Sequence, residues 1–158
     1  MDDKDEINVS VEVTRREEEY LHWLEYAKLD YDAAVVLKTA PMHPRPLNII
    51  CYHCQQAAEK AAKALVVYYG SPGGMAKKHD VSFQLNQIKN ILKNDKGIVI
   101  PEDIYFKAVN ISVYASEPRY PNEMLVSEEN VEMALYDSKA IMDWVKEVIA
   151  APSLVGDG

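Results

Sequence analysis

Four polar residues recur along one stretch of the chain in a pattern that could bind a phosphate-bearing ligand. His53, Gln56, Lys60 and Lys63 follow one another at intervals of three or four residues, so on a helix they share one flank. The two ammonium groups would attract phosphate, while the imidazole and the amide would form hydrogen bonds to a base or sugar. The structural alternative is that the lysines lie along the surface and the His and Gln bond to neighbouring helices.

Two further places in the sequence have the residue types for the same chemistry. His79 precedes Asp80 at the expected start of a later helix, where it either joins the polar flank or packs against an adjoining loop. Arg119 and Tyr120 follow another helix. An arginine beside an aromatic ring suits contacts with phosphate and base, although an arginine at a helix end also complements the helix dipole. The candidate ligand-binding set therefore includes His79, Arg119 and Tyr120, and it contains no catalytic residue.

The only two cysteines, Cys51 and Cys54, lie on either side of His53 and raise the question of a metal or dithiol site. Zinc requires four converging ligands, which usually come from two separated pairs, and the sequence has no second cysteine pair. Two small cysteines on a buried helix face explain the spacing equally well. We predict neither a metal site nor a cofactor, and a redox role for the thiols stays open.

Hydrophobic periodicity predicts five helices that would position these residues. Apolar positions, capping residues, prolines and glycines place the helices at residues 14–37, 46–69, 80–93, 101–115 and 127–149. Thr14 and Glu17 have the spacing of a capping box at the first start. The apolar positions of the first helix are Leu21, Leu24, Ala27, Tyr31, Ala34 and Val35, and those of the fourth include Ala115.

The second helix has an alanine-rich stripe, which lets a neighbouring helix approach closely and predicts a central position. Because no segment shows strand alternation, we expect an all-α fold, an antiparallel up-and-down bundle of about five helices with short connections. The expected organisation is a disordered acidic arm at residues 1–13, the helical bundle at 14–150 and a frayed tail at 151–158.

Composition limits the classes of function. The chain has 158 residues, 48% of them apolar, which fits one globular domain. Its formal net charge of −8 opposes general nucleic-acid binding, because that binding depends on neutralising phosphates. No apolar run reaches the ~20 residues that a membrane helix needs. The acidic N-terminus also differs from a signal peptide, so we expect a cytoplasmic protein without a membrane segment.

Three blocks, taken in order, resemble a known family. They are His53 to Leu65 (HCQQAAEKAAKAL), Lys78-His79-Asp80 and Arg119-Tyr120-Pro121, and together they are similar to the signature of the HEPN family, the higher eukaryotes and prokaryotes nucleotide-binding domain. The resemblance covers about residues 20–149. It implies a bundle of four or five helices, usually a homodimer. It also implies a gene often found beside a minimal nucleotidyltransferase, as one half of a toxin–antitoxin-like pair.

Many members of the HEPN family are metal-independent endoribonucleases with an Arg, four to six intervening residues and a His. Here no histidine follows Arg119, and the one formal match, Arg16 to His22, lies in the first helix, so we interpret it as accidental. The resemblance is therefore to members that lack the ribonuclease motif. We expect a non-catalytic module that binds a nucleotide or phosphate ligand and a nucleotidyltransferase partner. The alternatives are a ribonuclease toxin using His53 or His79, and a purely structural helical adaptor.

Overall fold

The computed structural model describes residues 3–70, 80–115 and 125–154. These residues form five α-helices and a short 3-10 helix at Ser112–Tyr114, and they contain no β-strand. The α-helices are α1 (Asp3–Thr39), α2 (Leu47–Tyr68), α3 (Val81–Lys96), α4 (Glu102–Ile111) and α5 (Glu128–Ala150). The predicted all-α bundle of about five helices is confirmed. Among the described helices, none is both long enough and apolar enough to cross a membrane.

Local capping explains where α3 and α5 begin. The Asp80 carboxylate accepts hydrogen bonds from the backbone amides of Ser82, at 2.9 Å, and Phe83, at 3.3 Å. The Ser127 hydroxyl accepts one from the amide of Asn130, whose side chain in turn accepts one from the Ser127 amide. These contacts satisfy amide donors that have no partner within the helix. Both helices begin where the sequence predicts.

Helix α1 is longer than the sequence analysis predicts. It begins at Asp3 rather than at Thr14, so the expected disordered arm is wrong for residues 3–13, which are helical. Neither proline nor glycine interrupts the segment, and the acidic residues Asp5 and Glu6 in its first turn interact favourably with the helix dipole.

The buried stripe of α1 is also narrower than the apolar pattern indicates. Ala27 and Ala34 are almost completely buried, whereas Leu21 and Val35 are 54% and 40% exposed. The two exposed residues therefore lie outside the core, and α1 contacts the bundle through a narrow face centred on Ala27 and Ala34, with Leu24, Tyr31 and Leu37 packed beside them. In α4, the helix ends at Ile111, and Ala115 follows the 3-10 turn as a half-buried residue.

Helix α2 lies at the centre of the bundle, as its alanine stripe predicts, and packs against α1, α3 and α5. Five alanines are completely buried there: Ala57, Ala58, Ala61, Ala62 and Ala64. Because methyl side chains occupy little space, neighbouring helices can approach the α2 backbone on several sides. The polar flank of α2 is thus carried by a rigid central helix.

Side-chain contacts give the directions of the helices. Tyr20 near the start of the packed part of α1 stacks edge-on against Tyr68 at the end of α2, which makes α1 and α2 antiparallel. The Tyr69 hydroxyl donates to Asp95 at 3.0 Å, so α2 and α3 end at the same end of the bundle. Strict alternation of direction therefore holds between α1 and α2 but not between α2 and α3.

A buried lysine connects α3 to the end of α5. Lys96 is 7% exposed and donates hydrogen bonds to the carbonyl oxygens of Val148, at 2.7 Å, and Ile149, at 2.9 Å. A positive charge at a helix C-terminus interacts favourably with the dipole and satisfies carbonyls that have no intrahelical donor. Burial lowers the pKa of Lys96. The Leu154 amide also donates to the Asp95 carbonyl at 2.6 Å, which holds the start of the tail expected to be frayed; residues 155–158 lie outside the described residues.

Candidate functional site

The polar flank of α2 faces α1, where a carboxylate meets two of the predicted ligand-binding residues. His53 Nδ1 lies 2.9 Å from Asp30 Oδ1, and Lys60 Nζ donates a hydrogen bond to Asp30 Oδ2. The Asp30 side chain is 14% exposed, whereas those of His53 and Lys60 are 29% and 24% exposed. Asp30 thus orients an imidazole and an ammonium group at the edge of a helix interface, where both remain accessible.

A second carboxylate organises the next turn of α2. Glu59 is almost completely buried and accepts a hydrogen bond from Lys63 at 2.6 Å. It also accepts one from the Gln55 amide at 2.9 Å. The Gln56 amide bridges the side chains, donating to Gln55 at 2.8 Å and to Glu59 at 3.4 Å. These charge-assisted hydrogen bonds fix the head groups of Lys63 and Gln56.

Aromatic rings of α1 lie beside the two lysines. Lys60 Nζ is 5.9 Å from the centre of the Tyr26 ring, and Lys63 Nζ is 5.3 Å from the centre of the Trp23 ring. At these distances a cation is attracted by the negative face of the ring. The side chains therefore form one connected group, which we name the α1–α2 cluster: Trp23, Tyr26, Asp30, His53, Gln56, Glu59, Lys60 and Lys63.

The charges in the α1–α2 cluster balance. Lys60 and Lys63 contribute two positive charges, and Asp30 and Glu59 contribute two negative charges, so with neutral His53 the formal sum is zero. An incoming phosphate would gain attraction from the lysines but would meet the carboxylates that hold them. The cluster is therefore suited to a ligand that forms several hydrogen bonds, rather than to attraction by excess charge.

Half of the cluster follows from the spacing of residues along α2, and the other half does not. His53, Gln56, Lys60 and Lys63 lie together, whereas His79, Arg119 and Tyr120 fall outside the described residues. Asp30, Glu59 and the two aromatic residues were not predicted. Glu59 has a local signal, because it lies four residues before Lys63 in an ion-pair spacing. Asp30 is 23 and 30 residues away from its partners, so only the packing of α1 on α2 identifies it.

The cysteine pair lies in the core and not in the cluster. Cys51 and Cys54 are free, completely buried thiols. Burial raises the pKa of Cys51 to about 11 and that of Cys54 to about 12. Hydrogen bonds with Tyr114 and Ser138 lower the two pKa values, but by less than burial raises them. Because the thiolate is the form that attacks and binds metals, both thiols are poorly placed for redox or metal chemistry.

The formal Arg16–His22 match has no convergent geometry in this chain. The two residues lie on one helix about 9 Å apart along its axis. His22 faces solvent beside Glu25, at 3.7 Å, whereas the Arg16 side chain packs against Gly70, where an added Cβ would lie 2.5 Å from Nη1. Among the described residues, no group of three or more His, Cys, Asp or Glu side chains is placed to hold a metal ion.

A model of the HEPN domain matches residues 20–148, which is most of the chain. The chain belongs to the HEPN domain family. Its helices α2 to α5 lie wholly or almost wholly within the matched range, and so does the whole α1–α2 cluster. The HEPN domain of this chain therefore includes every described residue that we assign to the site.

Solved structures support the fold of the HEPN domain. An archaeal HEPN homologue is 23% identical, with a TM-score of 0.60. A protein from Thermus thermophilus is 24% identical, with a TM-score of 0.63. Each match covers 82% of this chain and 97% of the other. At these identities the likeness concerns the arrangement of helices only. No curated protein sequence matches the chain.

Proposed function

We propose that this HEPN domain is a non-catalytic module that binds a nucleotide or another phosphate-bearing ligand at the α1–α2 cluster. The observation that carries the proposal is the arrangement of Lys60 and Lys63, which carboxylates hold in partly exposed positions beside His53 and Gln56. The ammonium groups are fixed before a ligand arrives, which lowers the entropy lost on binding. Neighbouring Trp23 and Tyr26 offer aromatic surface to a base.

The balanced charge of the cluster indicates weak binding of phosphate alone. Lys60 can bond to phosphate only by sharing or leaving Asp30, and Lys63 is held by the buried Glu59. A ligand with both a phosphate and a base or sugar gains from the His53 and Gln56 side chains as well. We therefore expect nucleotides to bind more tightly than inorganic phosphate.

HEPN domains are often encoded beside a minimal nucleotidyltransferase, and we propose that this domain is a cytoplasmic homodimer that forms one half of such a toxin–antitoxin-like pair. Two findings together would support the pairing. They are a nucleotidyltransferase gene beside the gene for this chain, and co-purification of the two proteins. A chain that neither has such a neighbour nor binds such a protein would leave ligand binding as the proposed function.

Thermal unfolding with a nucleotide panel tests ligand binding. A ligand that binds only the folded state raises the unfolding temperature as its concentration increases. We expect a shift with at least one nucleotide, and its loss in Lys60→Met and Lys63→Met. The matched control is Lys139→Met, since Lys139 also pairs with a carboxylate four residues away, at 2.7 Å, but lies on α5. Equal shifts in all three variants would remove the α1–α2 cluster from the proposal.

One observation favours a ribonuclease as a second candidate function. A histidine whose Nδ1 is held by a carboxylate is the usual arrangement of a general base, and His53 has this contact with Asp30. In that candidate, His53 replaces the histidine missing after Arg119. The purified chain would cleave single-stranded RNA in the presence of chelator, and His53→Ala would abolish cleavage. His22→Ala is the control, because His22 is exposed on α1.

A further inference from the structure

Helix α1 has a second apolar stripe on the side away from the bundle core. Tyr26, Leu29, Ala33 and Val36 follow one another at intervals of three, four and three residues. Three of them are exposed, at 56% for Tyr26, 60% for Leu29 and 66% for Val36. We name these four residues the outer α1 seam. The stripe of Leu24, Ala27, Tyr31 and Ala34 packs against the bundle, whereas the outer seam lies apart from this stripe, with Tyr26 at its edge beside Lys60.

The spacing of the residues in the outer seam is that of an interface between two helices. Alternating intervals of three and four residues place apolar side chains on one line along a helix, in the a and d positions of a heptad repeat. Such a line packs against the same kind of line on another helix, with each side chain entering a gap between four others. Exposed apolar residues that line up in this way mark an interaction surface more than scattered ones do.

The charges beside the outer seam indicate which charges the partner helix should carry. The charged residues in the flanking e and g heptad positions are Glu25, Asp30 and Asp32, and all three are acidic. Asp30 is held by α2, but the side chains of Glu25 and Asp32 are 75% and 51% exposed. Lys28 pairs with Asp32 from a position further round the helix. Flanking charges select the partner of a coiled coil, so these acids favour lysine or arginine on the partner.

A hollow at the N-terminal end of the seam also favours a basic residue on the partner. It has a volume of about 460 Å³ and is bounded by Arg15, Glu18, Glu19, His22, Trp23 and Tyr26. All six side chains belong to α1, and they comprise two carboxylates, two aromatic rings, one histidine and one arginine. A lysine or arginine at the end of a partner helix would pair with the carboxylates there.

A second copy of the chain fits the outer seam poorly. An antiparallel pair of α1 helices would bring the exposed Asp32 near the Asp32 of the second copy. Like charges across such an interface oppose association. We propose that the outer α1 seam docks an amphipathic helix of a different protein, with apolar residues facing the seam and lysine or arginine beside them. This inference rests on the proposed pairing with a partner protein and specifies the surface for it.

A designed peptide tests the inference without a nucleotide or a nucleotidyltransferase, so it can fail independently of the proposed function. The probe is a labelled helical peptide of three heptads with leucine at a and d and lysine at e and g. Its control has glutamate in place of the lysines. Fluorescence anisotropy with the full chain should give binding at least about tenfold tighter for the lysine peptide, because of charge complementarity.

Variants separate docking in the seam from general attraction between charges. Leu29→Gln/Val36→Gln removes apolar contacts without changing charge, and we expect it to weaken binding of the lysine peptide by at least about tenfold. The control Val109→Gln/Val113→Gln changes two exposed valines near the end of α4 and should leave binding unchanged. Equal binding by wild type and the seam variant would overturn the inference. So would a dimer of the wild type that the seam variant converts to a monomer, since a second copy would then occupy the seam.

Discussion

Asp30 of α1 and Lys60 of α2 form an ion pair across the antiparallel interface of the two helices. The same carboxylate contacts His53, so one side chain of α1 orients two polar groups of α2. This relationship makes Asp30 both a structural residue and a competitor of any anion that approaches the lysine. The two roles have separate experimental consequences.

Removing the charge of Asp30 should destabilise the fold. Asp30→Asn removes the charge that pairs with the partly buried Lys60 and leaves one side-chain oxygen where Lys60 and His53 had two, so we expect the free energy of unfolding to fall by about 1–3 kcal/mol. Urea denaturation measures the change. Asp32→Asn is the matched control, because the Asp32–Lys28 pair is exposed and should contribute no more than about 0.5 kcal/mol. Equal losses for both variants would contradict the structural role of Asp30.

Lys96 should be the lysine of α3 on which stability depends most. Lys96→Met removes two donors from the Val148 and Ile149 carbonyls at the end of α5, which we expect to cost about 1–3 kcal/mol. Lys93→Met, at an exposed position in the last turn of the same helix, is the control. If urea denaturation shows no difference between the two variants, Lys96 does not stabilise the end of α5.

The buried thiols should react only when the chain unfolds. Cys51 and Cys54 are completely buried, with pKa values raised to about 11 and about 12, so the reactive thiolate is scarce at pH 8. Labelling with iodoacetamide, followed by mass spectrometry, should modify neither thiol in the native chain and both in denaturant. Rapid modification of the native chain would contradict this placement.

Stability should decrease at alkaline pH. The folded state keeps Cys51 and Cys54 protonated above the ordinary thiol pKa of 9.0, and burial raises the pKa of Tyr114 from its ordinary value of 10.0 to about 12. Above pH 9 the unfolded chain therefore binds fewer protons than the folded one, so the free energy of unfolding falls as pH rises towards 11–12. Urea denaturation at pH 8 and pH 10 measures this. Cys51→Ala/Cys54→Ala should show a smaller difference between the two pH values than wild type.

The starts of α3 and α5 were predictable because their signals are local. Asp80 and Ser127 cap the helices through residues two or three positions away, and such contacts depend on sequence spacing alone. The start of α1 was not predictable from Thr14, because a capping sequence permits a helix start but does not prevent a helix from continuing.

The candidate site was predictable on one helix only. The spacing of His53, Gln56, Lys60 and Lys63 follows from the geometry of α2. The pairing with Asp30 depends on the position of α1 along α2, which is determined by packing around the buried alanines of both helices. As a result, the sequence indicates a positively charged flank, whereas the structure has a cluster of balanced charge.

The most direct test of the account is calorimetric titration of one nucleotide, selected from the thermal panel, into wild type, Lys60→Met and Asp30→Asn. Because Asp30 competes with phosphate for Lys60, the two variants should change the affinity in opposite directions. We expect Lys60→Met to weaken binding and Asp30→Asn to strengthen it by at least about threefold, although Asp30→Asn is the less stable protein. Unchanged affinity in both variants would contradict ligand binding at the α1–α2 cluster.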